Sequence, residues 1–214
     1  MKYPDLEDPM LAEFVGILLG DGMIGKYECD RGDGTYSIQH CVKITLSSEE
    51  TGYQDYIEDM FSDLFGVKPS CGKRKNENSY DIRCFQKELF EFLVEEVGLK
   101  KSPKWEKAEI PNVFLSQENL AKRVLRGYFD TDGSVVLTDN NGVLYPRLEM
   151  KICPSPMQDQ FIEILDSLGF RFGAYEIGKG KIRIQMNGKT QLAKFENEVG
   201  INNPKHVLKA EKVG

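Results

Sequence analysis

Two stretches decide how this chain reads: LAEFVGILLGDG at residues 11–22 and VLRGYFDTDG at residues 124–133. Each runs through apolar residues interrupted by a small one and closes on Asp-Gly, so Gly16 pairs with Gly127, Asp21 with Asp132 and Gly22 with Gly133 at an offset of 111. Further matches keep the same order. YDIRCF (80–85) matches GKIRIQ (180–185) at an offset of 100, pairing Arg83 with Arg183. VGLKKSPK (97–104) matches VGINNPKH (199–206) with one residue deleted, and DLFGVKPS (63–70) and DSLGFRFG (166–173) both end a helix-like stretch on a glycine turn. Matches in order at four places make the chain one unit written twice.

Within each unit the hydrophobic period changes in the same sequence. A short apolar helix is followed by a turn-rich stretch with Gly32 and Gly34, or with Asn140, Asn141 and Gly142, bounded by alternating segments such as SIQHCVKITL and LYPRLEMKI, which reads as a hairpin. An amphipathic helix (49–65 and 157–168), a second hairpin (67–85 and 170–186) and another amphipathic helix (86–97 and 189–199) complete the unit. The expected fold class is α+β, two pseudo-symmetric αββαββα halves at 1–99 and 121–214, joined by a Pro-containing linker at 100–120.

Composition narrows the function. The 214 residues hold 28 Lys and Arg against 34 Asp and Glu, a net charge of −6, which excludes a highly basic nucleic-acid-coating protein. At 40% hydrophobic the chain is too apolar to be disordered. No apolar run reaches the ~18 residues of a membrane span and the start is acidic and Pro-broken, so a cytoplasmic protein with no membrane association is expected. The five cysteines form no CxxC pair and read as reduced thiols. Charge is sorted by element: residues 49–65 and 157–168 carry nine acids and no Lys or Arg. The second hairpins, 66–85 and 170–190, carry ten bases against three acids. In KGKIRIQM, Ile182, Ile184 and Met186 alternate with Lys181, Arg183 and Gln185, so the pleat puts the basic and amide set on the face away from the core.

The leading helices carry small residues four apart, Gly16 with Gly20 and Gly127 with Thr131, and read as apolar on every side. Such helices are buried, and small residues let their backbones meet. If the two pack together, Asp21 and Asp132 become neighbours at their C-terminal ends, where the helix dipole and mutual repulsion both disfavour carboxylates. A divalent cation would offset both, and oxygen ligands of this kind suit magnesium, with the Gly20 and Thr131 carbonyls as further ligands. The plainer alternative is that each Asp-Gly merely ends a helix and starts a hairpin. DTDGS is no EF-hand, since Val135 stands where that loop needs glycine.

LRGYFDTDG (125–133) and FVGILLGDG (14–22) resemble the paired motifs of the LAGLIDADG homing endonucleases, most like single-chain archaeal members. The second copy is close; the first departs at Leu19. The resemblance spans nearly the whole chain, including PRLEMKI and the VGxxxPK segment. It implies a monomer whose two sheets form a saddle over double-stranded DNA with a long, pseudo-palindromic target. It also implies that Asp21 and Asp132 hold Mg2+ and activate water for cleavage of both strands in intron homing, with Mn2+ as a substitute and Ca2+ supporting binding without cleavage. Basic residues are expected soon after the second strand of each first hairpin, but Ser47 and Ser155 stand near those places, with Lys43 and Lys151 close by as candidates to position water or contact phosphate. DNA contact is expected from Lys43, Lys73, Arg74, Lys75, Arg83, Arg147, Lys151, Lys179, Lys181, Arg183 and Gln185, of which Arg83, Arg147, Arg183 and Gln185 can read base edges. Lys100, Lys101, Lys104 and Lys107 could reach a phosphate, Trp105 reads as a packing anchor, and His40 and His206 receive no chemistry. Without a splice-junction Cys or a terminal His-Asn, the chain reads as a free-standing enzyme; a non-cleaving DNA or RNA binder on the same scaffold, such as a maturase or a domesticated regulator, is the alternative.

Overall fold

A computed structural model describes residues 1–213. The first repeat runs α1 (Pro9–Gly20), β1 (Gly22–Asp30), β2 (Tyr36–Ser47), α2 (Thr51–Phe65), β3 (Ser70–Lys73), β4 (Ser79–Cys84) and α3 (Lys87–Glu91), the last continued by a π-helical turn at Phe92–Glu96. A short α4 (Asn112–Leu115) precedes the second repeat: α5 (Glu118–Asp132), β5 (Gly133–Asn140), β6 (Val143–Ile152), α6 (Met157–Ser167), β7 (Gly173–Glu176), β8 (Ile182–Asn187) and α7 (Lys189–Glu198). Helix α8 (Pro204–Ala210) follows. Each repeat forms an antiparallel four-stranded sheet, ordered β1-β2-β4-β3 and β5-β6-β8-β7. The fold is the expected α+β saddle with helices behind two sheets. No helix among the described residues is long and apolar enough to cross a membrane, and the five cysteines are free thiols.

Helices α1 and α5 form the seam. A Cβ on Gly16 would overlap the Val124 carbonyl, and one on Gly127 would overlap the Glu13 carbonyl, so each helix supplies the other's missing volume. The Asp-Gly glycines have a packing role too: a Cβ on Gly22 would strike the Leu18 backbone, and one on Gly133 the Phe129 carbonyl, because each strand folds straight back over its helix. Residues 11–20 of α1 are all buried. Helix α5 corrects the expectation of two helices apolar all round, since Lys122, Arg123 and Arg126 line a partly open face. Its first turn also begins inside the stretch read as linker.

The core continues through both halves, from Phe14, Phe61 and Phe65 to Phe129, Phe161 and Phe195. A buried polar network crosses the seam. Glu13 of α1 is 1% exposed and accepts from Tyr56 Oη at 2.8 Å, from Asn202 Nδ2 at 2.7 Å and from Arg126 of α5. Asn202 and Asn203 donate their backbone N–H groups to Asp130 at 3.0 and 3.2 Å, and Asn203 Nδ2 reaches both Glu50 Oε1 at 2.7 Å and the Asp130 carbonyl at 2.8 Å. The segment after α7 is therefore stapled to α2 of the other repeat. Asn203→Ala removes the side-chain donor to the buried Asp130 carbonyl and one of two donors to Glu50 Oε1, and should cost about 1–3 kcal/mol, read as a lower midpoint in urea with an unchanged m-value. An unchanged midpoint would mean that the staple carries no stability.

Candidate functional site: paired carboxylates beneath two sheets

Asp21 caps the C-terminus of α1 and Asp132 is the last residue of α5. Because the seam glycines bring the helices together, the two carboxylates converge from opposite repeats. Burial first, then the Asp132 charge, pushes the Asp21 carboxyl up from the ordinary aspartate value to about 7. Burial raises Asp132 as well, against the pull of Lys104, the Tyr128 hydroxyl, Lys205 and Lys151. Side chains leave Asp21 partly open and Asp132 exposed, so a ligand can reach both.

Two lysines join this pair: Lys104, read from the sequence as a linker residue that could reach a phosphate, and Lys205, which sequence reading passed over. Lys104 lies in the connecting stretch, yet its Nζ donates to the carbonyls of Leu18 at 3.1 Å, Leu19 at 2.9 Å and Gly20, closing the last turn of α1. It is held down from the ordinary lysine value by burial, opposed by Asp132 and Asp21. Lys205 is held by Glu50 Oε1 at 2.6 Å and acts on both aspartates. An ammonium from each repeat thus flanks the acidic pair. The signal was the matched Pro-Lys of VGLKKSPK and VGINNPKH.

Other expectations resolve differently in the two halves. The Gly20 carbonyl, expected as an oxygen ligand, is taken by Lys104. Thr131 turns its hydroxyl into the seam, donating to the Gly127 and Tyr128 carbonyls at 3.1 and 3.0 Å. Ser47 and Ser155 shape the turns into α2 and α6: the Ser47 N–H donates to Glu50 Oε2 at 3.0 Å, and Ser155 Oγ to the Cys153 carbonyl at 3.1 Å. Gly22 pairs with Ile44 and Gly133 with Met150, so equivalent residues of β2 and β6 differ by 106. Ile44 pairs with Ile82 and Met150 with Ile184, so those of β4 and β8 differ by 102. Arg83 therefore corresponds to Gln185, and Asp81 to Arg183, which corrects the pairing of the two arginines. Lys43 and Lys151 are likewise not equivalent: Lys151 acts on Asp132, whereas Lys43 sits opposite Met23 and Arg83 and acts on Asp81.

The sheet face away from the helices gathers Lys43, Thr45, Asp81 and Arg83 in the first half and Arg147, Glu149, Lys151, Arg183 and Gln185 in the second. Lys73 ends β3, Arg74 and Lys75 enter the following turn, and Lys179 lies in the β7–β8 turn. Lys181 Nζ stands 5.5 Å from the Trp105 ring centre. Asp81, 1% exposed, ties Arg74 Nε at 2.8 Å and Arg83, so this face is basic around a buried acid rather than uniformly basic. His40 packs edge-on against Phe90. His206 is buried against Phe129 and pushed down to about 3, first by burial.

The structure thus holds two four-stranded sheets and a glycine-packed helix pair that ends in carboxylates, one set per repeat. Residues 119–200 match the family model of the LAGLIDADG-like domain. The chain is 25% identical over 208 residues to a DNA polymerase of Thermococcus kodakarensis, covering 91% of this chain and 11% of that protein. It is 26% identical over 210 residues to a DNA polymerase of Thermococcus aggregans, covering 92% and 10%. It thus spans about a tenth of the length of the curated relatives it matches. It superposes on I-DmoI in complex with DNA and Mn at a TM-score of 0.59 and 18% identity, over 90% of this chain and 96% of that one. It superposes on I-SmaMI bound to an uncleaved DNA target with calcium ions at 0.63 and 10% identity, over 93% and 87%. Residues 119–200 thus carry a LAGLIDADG-like domain, and the chain as a whole shares the fold of these two structures.

Proposed function

We propose that the protein is a monomeric, cytoplasmic, site-specific DNA endonuclease that cuts both strands of a long, pseudo-palindromic duplex target. Asp21 and Asp132 would hold Mg2+, with the Thr131 carbonyl as a further oxygen. The observation that carries this reading is the meeting of two solvent-reachable carboxylates, one per repeat, with an ammonium on either side. Among the described residues no third His, Cys, Asp or Glu joins them in a metal-binding cluster, which suits an ion that keeps water and phosphate oxygens in its shell. A cation bound there would neutralise phosphate charge and lower the pKa of an attacking water.

The chain's own groups do the rest. Lys104 and Lys205 compensate the acidic pair with their charges. Lys151 adds a third ammonium beside Asp132. The pseudo-two-fold axis between α1 and α5 matches the two-fold backbone symmetry of a duplex, so one acidic pair serves two strands. Lys43, Lys73, Lys75, Arg83, Lys179 and Lys181 would contact the backbone and groove. The likeness of this fold to I-DmoI in complex with DNA and Mn, and to I-SmaMI bound to a DNA target with calcium ions, supports a DNA ligand.

Incubating the protein with Mg2+ and its own locus, interrupted and uninterrupted, tests the reading. Staggered double-strand cuts in the uninterrupted DNA are expected; intact DNA at a tightly bound site would leave only the non-cleaving binder. The lysines make a finer forecast. Lys104→Met and Lys205→Met should each slow one strand about a hundredfold and the other much less, with opposite strands affected, when the strands carry different end labels. Equal slowing of both strands by both variants would contradict their one-per-repeat role.

A further inference from the structure

The open face of the C-terminal sheet contains a buried acid with no part in the chemistry above. Glu149, in the middle of β6, is 7% exposed, and its neighbours Leu148 and Met150 point the other way into the core. Arg147 Nε lies 2.5 Å from its Oε1, and Arg183 Nε lies 3.9 Å from its Oε2. Gln185, its cross-strand partner, donates Nε2 to Oε1 at 2.9 Å. Both arginines therefore ion-pair with one carboxylate on the Nε side of the guanidinium, although neither Nε, each buried, makes a hydrogen bond. Their paired terminal amino groups are left over, on side chains still 35% and 34% exposed.

That end-on fork is the donor pair that matches O6 and N7 of guanine in the major groove. An arginine ion-paired to a buried carboxylate loses less rotamer freedom when it meets a base than a free one does. The N-terminal sheet is built differently around its own acid. Arg74 spends Nε on Asp81 at 2.8 Å, Nη1 on Glu77 at 3.1 Å and Nη2 on Thr45 at 3.3 Å, leaving no free fork. Arg74 is thus a brace, and Arg83 also spends a terminal amino group, Nη2, on Asp81, so neither presents a free fork.

We propose that Glu149 is a specificity-determining positioning residue: it aims Arg147 and Arg183 at two guanines, so the half-site under the C-terminal sheet is the guanine-fixed half of the target. The inference rests on the DNA-binding part of the reading above and not on cleavage. It also predicts a trade: the acid lowers affinity for DNA in general while sharpening the choice of base.

The test is selection from a duplex library with a randomised segment, in Ca2+, with wild type, Arg147→Ala, Arg183→Ala, Glu149→Gln and Glu149→Ala, each shown folded by its melting curve. Wild type should select guanine at two positions, each erased by one arginine variant. Glu149→Ala should weaken the preference about tenfold at those same two positions, with Glu149→Gln in between, while binding to random-sequence DNA tightens in both. A merely structural role would weaken both kinds of binding together. Unchanged base preference in Glu149→Ala, or a base other than guanine at the positions the arginines control, overturns the proposal. Wild type that cuts nothing yet selects those guanines sinks the endonuclease reading alone, and wild type that selects no sequence sinks both.

Discussion

Replacing Asp21 or Asp132 with Asn should reduce cleavage of a bound target by at least about a thousandfold while leaving affinity in Ca2+ within a few fold. The same change should stabilise the metal-free protein at pH 8. Asp21 is raised to about 7 in the folded chain and titrates near its ordinary value when unfolded. The folded state therefore binds an extra proton between about pH 4 and 7, and that contribution is present below pH 4 and lost as pH rises through 7. Three pKa units correspond to about 4 kcal/mol, part of which solvent access removes, so a gain of about 2–4 kcal/mol is expected for Asp21→Asn at pH 8 and little difference near pH 4. Mg2+ should raise the wild-type melting temperature at pH 8 and leave that of the Asn variant unmoved. A variant that still cuts at the wild-type rate, or that melts lower at pH 8, would remove Asp21 from the site.

Gly127→Val should abolish cooperative folding or lower the melting temperature by about 10–20 °C, equivalent to some 4–5 kcal/mol for a chain of this size. The reason is the seam itself. The first added carbon already overlaps the Glu13 carbonyl and crowds the Ile17 amide, and backbone of a buried helix cannot swing aside as a side chain can. Gly16→Val meets Val124 and Tyr128 in the same way, so the two variants should be alike in severity. A Gly127→Val protein that melts within a few degrees of wild type would mean that α1 and α5 are not in this contact.

The seam was legible because its requirement is local: small residues four apart and an Asp-Gly end survive in both copies of the repeat. The element order was legible for the same reason, since each period change occurs twice. Register was not. The first hairpin and the helix after it are both shorter in the second repeat, so the offset falls from 111 at the leading helices to 106 and then 102 along the strands, and chance similarity of two Ile-Arg pairs set Arg83 against Arg183 instead of Gln185. Lys104 was assigned to a linker because nothing in its neighbours shows that the chain doubles back onto the end of α1. Glu149 and Asp81 were invisible as organisers, since a single acid among bases on a strand lowers the charge sum without revealing which arginines it holds. Net charge misled in a similar way: the −6 reflects the acidic helices behind the sheets, while the face away from them is where the arginines and lysines collect.

A metal switch on one duplex tests the acidic pair most directly. A site selected from random DNA in Ca2+ is bound by the protein, Mg2+ is then supplied, and the end-labelled strands are followed. Both strands of wild-type complexes should be cut near the centre of the bound site, and neither strand in complexes of Asp21→Asn or Asp132→Asn. A tightly bound site that stays intact in Mg2+ and in Mn2+ would contradict the claim that this acidic pair is a nuclease centre.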